Sequence, residues 1–448
     1  VSMPGSLLTK LGKVRSTVEK EAHFLVRLKN IAHLLTGNFA SSFIGLAGFA
    51  LTARALGPTD YGVLAICFAY TRGVERLVSF RSWQPLVKYG AEALQAEDLS
   101  NLKTLFKFGL LLDVLAACIA WTVAVLVILL AGPLVGVSAE MSRIVLIYCS
   151  VLLFQLSGMS TAVLRLFGRY NILAYGQVLA SMVRVAFCLF GVWVGWGFFE
   201  FLLLWMGAQI LGAVNINVLA FIELRRRGLG GVLFAPVRGV AKKFPGLYSF
   251  SFSSNLSSAI RSSASELDTL IVGYLTDPAS AGLYHIAKRI GRIAQQAGVQ
   301  VQAVLFPDLA RAWSANQFKD FRKIVFQTQM LLLVFGIGAL LFFYLTIDRV
   351  LLWTAGPEFL GAGPLVIVQT VAVMMILCGT VLYSALLSMG KEALVLRIVF
   401  AATIVFHVTA FTLVPKIGPM GANIAHISMS FVLLSGMTYI YRKGLSKI

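Results

Sequence analysis

Carboxylates are scarce in this chain of 448 residues: 19 Asp and Glu stand against 38 Lys and Arg. Charge of either sign is scarce as well, at 13% of residues, where a soluble chain carries about 25%. Hydrophobic residues make up 58%. That composition excludes a soluble domain and marks an all-α, polytopic membrane protein. Cysteine is sparing too. Cys67, Cys118, Cys149, Cys188 and Cys378 fall inside apolar runs with no CxxC or Cys/His spacing, so neither disulfides nor a metal site are expected. GxxxxGKS/T, HExxH and GxSxG are absent, which removes a P-loop ATPase, a zinc hydrolase and a nucleophile-elbow hydrolase. No cofactor and no catalytic residue are expected, and the chain reads as a transporter, not an enzyme. The first 30 residues lack the apolar core and cleavage site of a secretory signal.

What is present is a net charge of +19. In a soluble chain that would suggest nucleic acid. Here most basic residues lie between apolar runs, where the positive-inside rule places them, so no nucleic-acid partner is implied. A spanning helix needs about 20 mostly apolar residues, and about twelve segments qualify. The second (61–87), seventh (246–274) and eighth (279–306) are the most polar. The N-terminus and the even-numbered loops carry nearly all the Lys and Arg between spans, against Arg54, Arg143, Arg349 and Lys416 on the other side. This asymmetry predicts cytoplasmic termini in a multi-pass membrane protein. The chain divides into a basic amphipathic segment (1–30), a six-helix lobe (31–222), a basic linker (223–244), a second six-helix lobe (245–441) and a short tail (442–448).

The two halves resemble each other. "LGPTDYGVLAI" (56–66) is similar to "LTDPASAGLYHIA" (275–287), with Pro58 and Pro278, and Gly62 and Gly282, each 220 residues apart. Gly168 and Gly390 are 222 apart. Six spans per half would insert both halves the same way up, around an axis along the membrane normal with a cavity between the lobes. Asp60 and Asp277 are candidate helix N-caps in the two related turns.

Five cations fall in mid-span: Arg72, Arg76, Lys288, Arg289 and Arg292. A cation at the bilayer centre costs ~2.5–3.5 kcal/mol on insertion scales. Arg72, Glu75 and Arg76 share a helix face at i, i+3 and i+4, and Arg292 is the 220-offset counterpart of Arg72. The planar guanidinium fork suits phosphate or carboxylate. These residues either line a wet basic cavity that receives an anion or pair internally with Glu75, Glu266 or Asp268. The seventh span adds Arg261 as a further anion contact, with Glu266 and Asp268 as its alternative structural partners. Glu75, Asp113, Glu266 and Asp268 are the candidates for ion coupling or pairing. Arg184, Arg397, His407 and His426 are isolated ionisable residues in other spans.

"TARALGPTDYGVLAI", "ELDTLIVGYLTDPASAGLYHIAKRI", "FPDLARAW" and "LFGRYNILAYGQVL" resemble the polysaccharide transporter family. Its members are the oligosaccharide flippases within the multidrug, oligosaccharidyl-lipid and polysaccharide flippase superfamily. The resemblance extends over nearly the whole chain after residue 30. It implies two six-helix lobes around a cationic vestibule in the bacterial inner membrane. It also implies a polyprenyl-diphosphate-linked oligosaccharide as cargo, moved outward by alternating access for O-antigen, capsule or exopolysaccharide export. Membrane lipids, a polymerase and a chain-length regulator are the implied partners. By that resemblance Arg72, Arg76, Arg261, Lys288, Arg289 and Arg292 would neutralise the headgroup. A cation-coupled drug or metabolite exporter of the same superfamily is the competing reading. It calls for an acidic cavity, which this chain fits less well.

Overall fold

Backbone polar groups find no partner in hydrocarbon, so a spanning chain must satisfy them within each segment. Accordingly, the computed structural model contains no β-strand among the residues it describes, which are 5–78, 83–132, 139–237, 240–244 and 247–446. The helices are α1 (Gly5–Val78), α2 (Trp83–Gln95), α3 (Leu99–Ala131), α4 (Ala139–Cys149), α5 (Gly158–Leu166), α6 (Tyr170–Val194), α7 (Phe198–Arg226), α8 (Val240–Lys243), α9 (Leu247–Leu275), α10 (Pro278–Ser314), α11 (Phe318–Thr354), α12 (Gly363–Ser388), α13 (Glu392–Ile417) and α14 (Pro419–Leu445). The side chains of residues 1–30, where the amphipathic segment was expected, lie outside the described set.

Nine of these segments are long and apolar enough to cross a membrane. The first of them, Thr36–Val78, is two crossings in one run. Gly57 breaks the helix with φ 72 and ψ 174, a conformation open essentially to glycine alone. The helix resumes at Pro58, whose missing N–H costs nothing in a first turn. The polar α9 and α10, with 29 and 37 residues, bring the long segments to the expected twelve. Asp277 caps α10 by accepting from the backbone N–H of Ser280 at 2.9 Å. Asp60 already lies inside the helix that resumes at Pro58 and does not play the matching part.

The fourth span departs from the expected continuous helix over 144–165. It ends as α4 at Cys149, passes through a 3-10 turn (Ser150–Phe154), breaks at residues 155–157 and restarts as α5. The break is tolerated because Asp113 of α3 accepts from the freed Met159 N–H at 2.7 Å.

Three apolar cores describe how the two lobes sit. One contains residues of both halves, from Phe49, Tyr61 and Phe68 to Ile271, Tyr284 and Phe359. The second lies among α2, α3, α5, α6, α7 and the linker, reaching Leu247 at the start of α9. The third lies wholly among α10–α14. The lobes are therefore fused at the end where α1 kinks and separate towards the end where the chain begins and finishes. At the fused end α1 crosses α10 in backbone contact. A Cβ on Gly62 would lie 1.7 Å from the Pro278 carbonyl oxygen, and one on Gly282 would lie 2.5 Å from that of Pro58. The reciprocal contact is the internal repeat made physical: the same residues of each half meet across one pseudo-two-fold axis. Tyr61 and His285 add a buried bridge between the lobes, Oη to Nδ1 at 2.8 Å.

Gly62→Val should force the crossing apart, since overpacking a tight contact costs ~1–3 kcal/mol. Cys67, fully buried in this seal, is then expected to react with a water-soluble maleimide, read by peptide mass spectrometry. Continued protection of Cys67 would show that the crossing has slack.

Candidate central cavity

Below the seal the lobes enclose a cavity of about 690 Å³. Its charged walls are Arg72, Arg76, Arg184, Arg289 and Arg292, against Glu75 and Glu266. Small residues make the room: Ser41, Ser42 and Gly45 on α1, Gly176, Ala180 and Ser181 on α6, and Ala208 and Gly212 on α7.

The arginines are positioned by apolar and neutral contacts more than by carboxylates. The guanidinium of Arg289 lies 4.0 Å from the Phe49 ring centroid, and its Nε donates to His285 Nε2 at 3.4 Å. Its Nη2 is buried with no hydrogen-bond partner. Arg184 lies 4.9 Å from the ring of Trp205, and its Nε is likewise buried and unsatisfied. Trp205 is itself fixed, donating from Nε1 to Thr52 at 3.1 Å. Arg292 donates to the Ser265 carbonyl at 3.1 Å and reaches Glu266 at 3.5 Å. Arg72 is half-buried and makes no hydrogen bond or ion pair with a described residue. Five guanidiniums in a low-dielectric space, with two carboxylates between them, are mutually repulsive until an anion arrives.

The expected stripe on the eighth span divides. Arg289, Arg292, Ile293 and Gln296 line the cavity. Lys288, one residue and about 100° around the helix from Arg289, is not among its walls and borders a small space beside it with Arg72, Glu266, Arg289 and Arg292. Lys288 is buried in an ion pair with Asp268 Oδ1. Asp268 Oδ2 accepts from Tyr284 Oη at 2.9 Å and meets His426 Nε2 at 3.0 Å. This cluster ties α9, α10 and α14 together inside the second lobe. Asp268 thus has Lys288 and His426 as partners; the side chain of Arg261, expected as a further anion contact, lies outside the described ones. Asp113 serves the break in the fourth span. Arg184, read from sequence as an isolated residue, belongs to the cavity. The signal that could have found it is the run Gly176, Ala180, Ser181, Arg184, which places small residues and the cation on one helix face. Among the described residues no three His, Cys, Asp or Glu side chains converge as a metal site.

Removing one member of a buried ion pair strands the other, at a cost of ~3–5 kcal/mol. Asp268→Asn is therefore expected to lower the thermal unfolding temperature in detergent sharply, and adding Lys288→Met to recover more than half of the loss. Arg72→Gln, which relieves repulsion, should leave that temperature unchanged or raised. A large drop for Arg72→Gln would mean that it is a structural partner.

The comparisons agree with this architecture. At 25% identity over 264 residues, 59% of this chain and 74% of the relative, the chain is similar to the inner membrane protein YghQ of Escherichia coli (strain K12). Its fold is similar to that of the lipid II flippase MurJ in an inward closed conformation, at 15% identity and TM-score 0.67, covering 92% of this chain and 90% of the other. It is also similar to an inward-facing multidrug resistance MATE family transporter of the MOP superfamily, at 14% identity and TM-score 0.64, covering 94% and 97%. These likenesses establish the two-lobed fold. Residues 27–313 match the sequence family described as polysaccharide biosynthesis protein, and this multi-pass membrane protein belongs to that family.

Proposed function

We propose that the chain is a flippase for a polyprenyl-diphosphate-linked oligosaccharide in the bacterial inner membrane, moving it from the cytoplasmic to the outer leaflet by alternating access. The observation that carries this reading is the charge of the central cavity, where five arginines face two carboxylates. A diphosphate entering from water loses hydration worth tens of kcal/mol if nothing replaces it. Guanidinium forks replace it with short charge-assisted hydrogen bonds, and the unsatisfied Nε of Arg184 and Nη2 of Arg289 are already desolvated donors. The Lys and Arg asymmetry sets the termini, and with them the open end of the cavity, on the cytoplasmic side. The seal at Gly62 and Gly282 then closes the outer end, which is the state that loads cargo. Membership of a polysaccharide biosynthesis family and a fold shared with a lipid II flippase support a lipid-linked cargo. On this reading a polymerase and a chain-length regulator act on the delivered unit. The multidrug-exporter alternative shares the fold but wants acids where this cavity has arginines.

The test is surface-polysaccharide export in a deletion strain, complemented by wild type or by Arg72→Glu with Arg292→Glu. Each lost charge-assisted contact is worth ~1.5–3 kcal/mol, or roughly 10- to 100-fold in binding. The double variant, equally expressed, should abolish export and leave lipid-linked repeat units inside the cell. Polysaccharide unchanged by the deletion, with altered sensitivity to cationic compounds, would replace this reading with the exporter one.

A further inference from the structure

The central cavity has a side chamber that the headgroup does not need. A space of about 400 Å³ opens beside it within the first lobe. The two share Glu75, Arg76, Leu152 and Gln155 as walls, so the two spaces adjoin. The chamber's other walls come from Trp83 of α2, one face of α3, the break in the fourth span and Arg165 at the end of α5.

We propose that this chamber is a saccharide subsite, receiving the neutral, hydroxyl-rich part of the glycan while the arginines of the main cavity hold the diphosphate. The inference rests on the flippase reading and adds to it where the sugar sits. Three observations carry it. The first is a change of electrostatic character. The main cavity has a surplus of three cations, whereas in the chamber Arg76 and Arg165 are balanced by Glu75 and Asp113. A second anion would meet carboxylates there, but a polyol would not be penalised. The second is uncommitted hydrogen-bonding capacity. Gln155, Ser157 and Thr161 sit at or just after the helix break, and their side chains bond to no described residue. Arg165 Nε is buried without a partner. A site whose polar groups stay unpaired unless the right hydroxyls arrive discriminates strongly between ligands. The third is shape. Arg165 stacks on Trp83 at 4.0 Å, which holds the indole as a rigid wall. Ala116, Ala117 and Ala120 keep the opposite wall shallow.

The experiment compares two probes on the purified full-length protein in lipid nanodiscs: an unglycosylated polyprenyl diphosphate, and the lipid-linked glycan extracted from the deletion strain. Wild type should bind the glycosylated lipid about 10-fold or more tighter. Ser157→Ala with Thr161→Val, which touch only the chamber, should remove most of that advantage, about 5- to 10-fold, with a much smaller change for the bare lipid. Trp83→Ala should act in the same direction. Equal affinity of wild type for the two probes overturns the subsite and leaves the headgroup reading intact. Equal loss of both probes in the variants also overturns the subsite. Failure of wild type to bind either lipid, or absence of any accumulated glycolipid in the deletion strain, overturns the flippase reading and the subsite with it.

Discussion

Two glycines in van der Waals contact with the other half's backbone hold the lobes together. Gly62 and Gly282 leave no space for a Cβ against Pro278 and Pro58, so the starts of two helices cross as closely as polypeptide allows. Around that point a single apolar core joins both halves. Further along the helices the core divides in two. The cavity is the space left by that division. The placement of Arg72 on α1 and Arg292 on α10 in one cavity follows from a crossing of those two helices near one end. A crossing is also the kind of contact that can separate and re-form, because few side-chain hydrogen bonds accompany it. The Tyr61–His285 bridge is the buried one.

Charge is then sorted by solvation. Lys288 is buried and meets the Asp268 carboxylate, which Tyr284 and His426 bond in turn, as a buried cation must. Arg289, its neighbour in sequence, faces the cavity and rests on an aromatic ring. Weak hydration and a delocalised charge suit arginine to such a setting. Apart from Arg292, which pairs with Glu266, the described contacts of the cavity arginines do not neutralise them, and five cations against two carboxylates leave a surplus field available to an entering anion.

Much of this was legible in the residues. The constant offset between Pro58, Gly62 and Pro278, Gly282 announced two copies of one unit, and the crossing is where those copies meet. Asp277 could be recognised as a cap because a capping side chain acts within three residues of itself. The break at residues 155–157 was not legible. "LFQLSGM" contains no proline, and the backbone is released there because Asp113 of another span satisfies it. The separation of Lys288 from Arg289 and the recruitment of Arg184 were equally hidden, since an apolar-run count does not say which helix faces are packed against what.

The linear pattern therefore settles what depends on the bilayer: a membrane protein, twelve long segments in two related sets, and more cations than carboxylates in the spans. Apolar runs of that length must cross, and the Gly57–Pro58 and Asp277–Pro278 turns end one helix and start the next. Which cations stay unneutralised could be known only after folding. Asp268 is claimed by Lys288 and His426, the latter 158 residues away in sequence, and Asp113 by a backbone group 46 residues on. Pairing is a matter of distance and solvation in three dimensions, and both are set by how the helices pack.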